Sequence, residues 1–184
     1  TSATANQLKS VFFALILVLV IMTFYLRSLS GGLLVTSPTL LTLLLVYGGM
    51  GLLGVRLDIG TAMLASLVLG AGVDYAAHLV TAWYGKPGET VDDAAARAAR
   101  ETGPAIWTNA ITVAAGFFIL TLGEAKPVKN VGSLTAAAMI IAALATFLLI
   151  PVLARRLRYR PATVCVMAEP EAAAVHPATR KENH

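Results

Sequence analysis

Charge is scarce in this chain: 13% of its 184 residues are Asp, Glu, Lys or Arg, against about 25% in ordinary globular domains. With 57% hydrophobic residues and a mean hydropathy of +0.75, this composition excludes an ordinary soluble domain and indicates an integral membrane protein. Cysteine is nearly absent. Cys165 stands alone, which excludes an internal disulfide and any Cys-based metal site. No other metal set and no cofactor is expected. Neither HExxH nor GxSxG occurs, so the metalloprotease and α/β-hydrolase signatures are missing. The apolar runs do not alternate at period two, which disfavours a transmembrane barrel. The chain starts with Thr1 and has no short apolar region followed by a small-residue cleavage site, so no signal peptide is visible and a piece of a longer protein is expected. The net charge of +4 does not imply nucleic acid, because the basic residues sit at the edges of apolar runs rather than in one patch.

What remains is a set of long apolar stretches. Five of them, approximately Val11 to Leu26, Leu33 to Gly54, Ile59 to Tyr84, Pro104 to Leu122 and Val131 to Leu153, can each cross a hydrocarbon core that needs about 20 helical residues. The first is the shortest and relies on its flanks, Ser10 and Arg27, to reach both interfaces. The expected fold is all-α: a polytopic membrane helical bundle of five transmembrane helices plus a short cytoplasmic helix. Alternate connections place Arg27, Lys86, Arg97, Arg100, Arg155, Arg156, Arg158, Arg160, Arg180 and Lys181 on one side and Lys9, Arg56, Lys126 and Lys129 on the other. The richer side is the cytoplasmic one by the positive-inside rule, so the N-terminus is expected outside and the C-terminus inside.

The loop "KPGETVDDAAARAARETG" carries a helix-start pattern in Thr90 and Asp93, with acids early and Arg97 and Arg100 late. A cytoplasmic surface helix is expected over about 90–101, broken by Gly103 and Pro104 where the fourth span begins. The resulting division is 1–9 as the end of an extracytoplasmic connection, 10–157 as the transmembrane domain and 158–184 as a flexible cytoplasmic tail rich in Ala and Pro.

The third span contains "GAGVDYAAHL", in which Asp74 falls about two-thirds of the way from the outer end. Ala62, Ser66, Gly70, Asp74 and His78 recur at intervals of four on one slowly drifting helical face. Small residues on that face predict close approach of a neighbouring helix, with the carboxylate turned to protein rather than lipid. An ionised Asp at membrane depth costs about 2.5 to 3.5 kcal/mol, so such a group is suited to loading and unloading a proton. His78, one turn on, can relay or tune that proton. Plainer readings stand beside these. Asp74 can be an interhelical hydrogen-bonding residue satisfied by Tyr, Thr or Asn, His78 can simply meet interfacial water, and Tyr75, about 100° round the helix, can be a packing residue. Trp83 and Tyr84 read as interfacial anchors. In the fourth span, "TNAITVAAGF" places Thr108, Thr112 and Gly116 at intervals of four. The hydroxyls can bond backbone four residues back, or Thr112 or Asn109 can supply hydrogen bonds to Asp74.

"GAGVDYAAHL" resembles the GxGxDY motif of the resistance-nodulation-division (RND) transporter superfamily, in its MmpL and Patched-like exporter branch. The resemblance extends in order through a second span containing Pro38, "GVRLDIGTAMLASLVLGAGVDY", "GPAIWTNAITVAAGFFILTLG" and "VGSLTAAAMIIAALATFLLIPVLARRL", over about residues 5 to 157. It implies two six-helix halves as parallel repeats, of which this chain is similar to the last five helices of the second. By that resemblance Asp74 and Tyr75 carry proton coupling, with His78 left open; Ser66, Gly70, Gly72, Thr108, Asn109 and Thr112 are the supporting small and polar residues read from the two spans themselves. The implied function is part of a proton-motive-force-driven exporter of lipids or other hydrophobic compounds in the cell (inner) membrane. Its implied partners are membrane lipids, protons, a hydrophobic or lipid substrate and the remaining half of the transporter or an oligomer, with no nucleic acid. Three rivals are a sterol-sensing-like lipid-binding module without proton flux, a protein-translocation relative, and an intramembrane hydrolase using Ser66, Asp74 and His78. The last is disfavoured because one helical face spread over three turns is a poor nucleophile geometry.

Overall fold

The computed structural model describes residues 2–52, 54, 59–83 and 90–156; Arg56, Tyr84, Lys86, Cys165 and the expected tail 158–184 lie outside the described residues. Within them the chain forms α1 (Ser2–Tyr25), α2 (Leu29–Leu52), α3 (Ile59–Ala82), α4 (Val91–Ile119) with a 3-10 turn at Leu120–Leu122, and α5 (Lys126–Arg156), with no strand among the described residues. Among the described residues four helices are long and apolar enough to cross a membrane, and α1 contributes a shorter apolar stretch, Lys9–Tyr25. The fold is an all-helical membrane bundle.

Short turns enforce the hairpin of α1 and α2. Arg27 adopts a positive φ of 48°, the left-handed conformation that ends many helices. Ser28 N–H donates to Thr23 O at 3.2 Å and Arg27 N–H to Phe24 O at 3.3 Å, which satisfies carbonyls that the end of α1 leaves free. Ser28 Oγ then accepts from Gly31 N–H at 3.4 Å to begin α2. Further along α2, Pro38 lies inside the helix and has no N–H to give the carbonyl four residues back. That carbonyl, Leu34 O, accepts from Ser37 Oγ at 3.0 Å instead.

Helix α5 is the hub, packing against α2, α3 and α4. Its buried side is mostly Gly, Ala and Thr, among them Gly132, Thr135, Ala138, Ala142, Ala143 and Thr146, and small residues let backbones come close where lipid supplies no hydrophobic drive between helices. At Gly132 a methyl group would sit 2.6 Å from Phe117 O and 2.8 Å from Leu120 Cβ. By contrast, among the described residues α1 packs only on α2 and α3, and its exposed residues include Phe12, Phe13, Leu17 and Phe24.

The expected break at Gly103 and Pro104 is not there: α4 runs unbroken from Val91 to Ile119 with Pro104 inside it. The expected cytoplasmic helix and the fourth span are one element. The reason lies in the buried stripe, in which Ala94, Ala98, Ile106, Ala110 and Ala114 recur at multiples of four and drift slowly round the helix, so α4 is packed on both sides of the proline. Thr102 Oγ1 donates to Ala98 O at 2.8 Å within the same turn. The helix does start as expected, with Thr90 Oγ1 accepting from Asp93 N–H at 3.2 Å. Its first turns are tied to their neighbours by Arg155 Nη2 to Asp92 Oδ1 at 2.8 Å and by Arg97 Nη1 donating to Ala82 O at 3.2 Å. Trp83 is likewise not an exposed anchor. At 2% exposed it belongs to a core cluster with Leu79, Ala94, Ala98 and Ala154, because the first turns of α4 cover it.

Candidate functional site

Helix α3 is apolar on the sides that meet α2, α4 and α5, where Leu64, Val68, Tyr75, Leu79 and Val80 are buried. The stripe of Ser66, Gly70, Asp74 and His78 is exposed along its described length. Its periodicity is as the sequence indicates, but its surroundings are not. A methyl at Gly70 would meet nothing within 4 Å, whereas one at Gly72 would lie 2.8 Å from Thr39 Oγ1 of α2. Close helix approach therefore occurs one stripe round, at Gly72, and the carboxylate is not enclosed by the described residues of this chain. The physical reason is that α3's other faces already carry the large side chains that pack, leaving the small polar stripe over.

On that open stripe Asp74 and His78 meet. His78 Nε2 lies 3.4 Å from Asp74 Oδ1, with the two side chains 65% and 60% exposed respectively. One turn apart on the same face, they are placed by the helix itself. They border an open recess of about 260 Å³ between α1 and α3, lined also by Ile21, Met22, Tyr25, Ala77 and Thr81. Thr81 Oγ1 is turned to the backbone, bonding Ala77 O at 2.8 Å and His78 O at 3.0 Å. A carboxylate and an imidazole thus sit at one edge of a trough whose other edge is apolar.

Tyr75 is not part of that pair. Its side chain is 1% exposed, and its hydroxyl accepts from Asn109 Nδ2 of α4 at 3.4 Å. Asn109 thus reaches α3, but its partner is Tyr75 rather than Asp74. Thr108 and Thr112 are exposed on α4, as is Gly116, beside which a methyl would again meet nothing within 4 Å. The backbone bond expected of those two threonines is made by Thr36, Thr42, Thr102 and Thr146. The sequence reasoning missed the Thr39 contact; its one signal was the run of threonines at 36, 39 and 42 in an apolar helix. Among the described residues no group of three or more His, Cys, Asp or Glu is placed to hold a metal ion.

A multi-pass helical membrane protein with an Asp-Tyr pair in its third helix is the class that this fold and site define. The MMPL family model matches residues 2–160, and the chain belongs to that family. It is similar to MJ1562 of Methanocaldococcus jannaschii, with 32% identity over 141 residues, 76% of this chain and 36% of that protein. It is similar also to ActII-3 of Streptomyces coelicolor, with 32% identity over 133 residues, 64% of this chain and 19% of that protein. Both are named only as membrane proteins, and the chain spans about a third or less of the length of each. No solved structure matches.

Proposed function

We propose that this chain is part of a proton-motive-force-driven transporter that exports lipids or other hydrophobic compounds, and not of an enzyme. The observation that carries the reading is the Asp74–His78 pair at 3.4 Å on a face that the rest of the described chain leaves uncovered. Asp74 takes up and releases the proton, His78 relays it, and Tyr75, fixed by Asn109, holds the adjacent face of α3 in register. The remaining half of the transporter covers the stripe, with Ser66 and Gly70 on α3 and Thr108, Thr112 and Gly116 on α4 giving its helices room to approach. Charge neutralisation at Asp74 then alters the packing between halves. One charge crossing 100 mV supplies about 2.3 kcal/mol, enough to bias a two-state element about fiftyfold. The N-terminus lies outside, and the C-terminal end of α5 with Arg155 and Arg156 lies in the cytoplasm, in a cell (inner) membrane.

The deciding experiment is Asp74→Asn in the full-length protein: expression and fold are retained, and pH-gradient-driven transport in vesicles is lost. Transport at the normal rate in that variant removes the relay. A second reading, a sterol-sensing-like lipid-binding module without proton flux, is favoured by the apolar wall of the recess, Ile21, Met22 and Tyr25. Under it, lipid binds the full-length protein with no dependence on a pH gradient and no flux in the same vesicles.

A further inference from the structure

Three threonine hydroxyls, those of Thr23, Thr39 and Thr135, are buried without a hydrogen-bond partner among the described residues. An unpaired buried hydroxyl is costly, and threonine in an apolar helix ordinarily bonds a carbonyl one turn back. Two of the three share an explanation. Thr23 of α1 lies directly over Gly32 of α2, where a methyl would meet its hydroxyl and would lie 3.0 Å from its backbone nitrogen. Thr39 of α2 lies over Gly72 of α3, with Oγ1 at 2.8 Å, Cγ2 at 3.3 Å and Cβ at 3.4 Å from such a methyl. In each case a β-branched side chain, stiff at χ1, fills the notch left by a glycine, and its oxygen faces a Cα–H, the weak donor common at helix crossings.

These contacts fall at significant places. Gly32 and Thr39 are seven residues apart, two turns along α2, and bracket Pro38. Gly72 is two residues before Asp74 and three before Tyr75. Helices α1 and α3, held to α2 in this way, are the two walls of the recess that contains Asp74 and His78.

We propose that Thr39 and Gly72 are positioning residues for Asp74: the threonine seated in the glycine notch fixes the height and rotation of α3 on α2, and so the place of the carboxylate beside α1. The inference rests on the reading of Asp74 as the proton carrier. Thr39 touches neither proton nor cargo; it acts through α3.

The test uses the full-length protein in vesicles, reading transport rate against pH for Thr39→Ala, Gly72→Ala, the double variant and Asp74→Asn. Thr39→Ala only removes atoms and retains the fold, as checked by its elution in detergent. It is expected to lower transport about three- to thirtyfold and to move the pH of half-maximal transport. Gly72→Ala does the same or worse, since its methyl has no room. The double variant, whose new methyl occupies the space vacated at Thr39, recovers towards the wild-type profile, and Gly72→Ala with Thr39→Ser does not, because the oxygen is the nearest atom. Wild-type rate and pH profile in Thr39→Ala and Gly72→Ala while Asp74→Asn is inactive would overturn the positioning role alone. So would a double variant no better than the worse single one. Normal transport by Asp74→Asn would take down the relay and the positioning role together.

Discussion

Removing either end of the link between Tyr75 and Asn109 should have unequal consequences, and a double substitution should expose the asymmetry. The tyrosine hydroxyl is buried in a side chain 1% exposed, whereas Asn109 is exposed on α4, and the Nδ2 to hydroxyl distance of 3.4 Å is long. Such a bond sits at the weak end of the usual range, about 0.5 to 1 kcal/mol. Tyr75→Phe therefore costs about that much, since the freed amide can find another partner. Asn109→Ala leaves the hydroxyl buried and unpaired, a penalty of about 1 to 3 kcal/mol. Alanine's better helix propensity returns about 0.6 kcal/mol, so the net loss is roughly 0.4 to 2.4 kcal/mol. Tyr75→Phe added to Asn109→Ala then removes the orphan, and the double variant is more stable than Asn109→Ala alone. Reversible unfolding of the four full-length proteins in detergent micelles measures all three differences. A double variant less stable than Asn109→Ala refutes the reasoning.

Gly132→Ala forces a methyl against the backbone oxygen of Phe117 and should destabilise the bundle by about 1 to 3 kcal/mol. Gly116→Ala, with nothing within 4 Å, should leave stability within about 1 kcal/mol yet impair transport by crowding the docking face; equal melting shifts for the two would contradict the packing. Trp83→Ala opens a cavity under the first turns of α4 and should cost about 3 to 5 kcal/mol, seen as a lowered melting temperature and faster proteolysis near Arg97. An effect under 1 kcal/mol would place that indole at a lipid interface after all. Arg27→Gly relieves a non-glycine residue of its left-handed φ of 48° and should raise stability by about 1 kcal/mol, measured in the same unfolding assay; destabilisation would mean that the guanidinium anchors the turn.

The helices could be read from the sequence because length and hydropathy are local properties, and in lipid every backbone polar group must be satisfied within its own segment. The four-residue recurrence of Ser66, Gly70, Asp74 and His78 was legible for the same reason: it is a consequence of 3.6 residues per turn. So was the family, carried by the GAGVDY run and by the order of the segments around it. Which way that stripe faces was not. In water an amphipathic helix declares its inner side by being apolar there, but a membrane helix is apolar on its packed side and on its lipid side alike, so composition does not distinguish them. Only the tertiary structure decided that Gly72, not Gly70, meets a neighbour, and that Asn109 serves Tyr75. It also decided that α4 runs straight through Gly103 and Pro104, since the packed alanine stripe from Ala94 to Ala114 outweighs two residues that by themselves favour a break, and that Trp83 lies under α4. In each case the outcome was set by which surfaces of separate helices came into contact, and that depends on the summed shape of several segments rather than on any one of them.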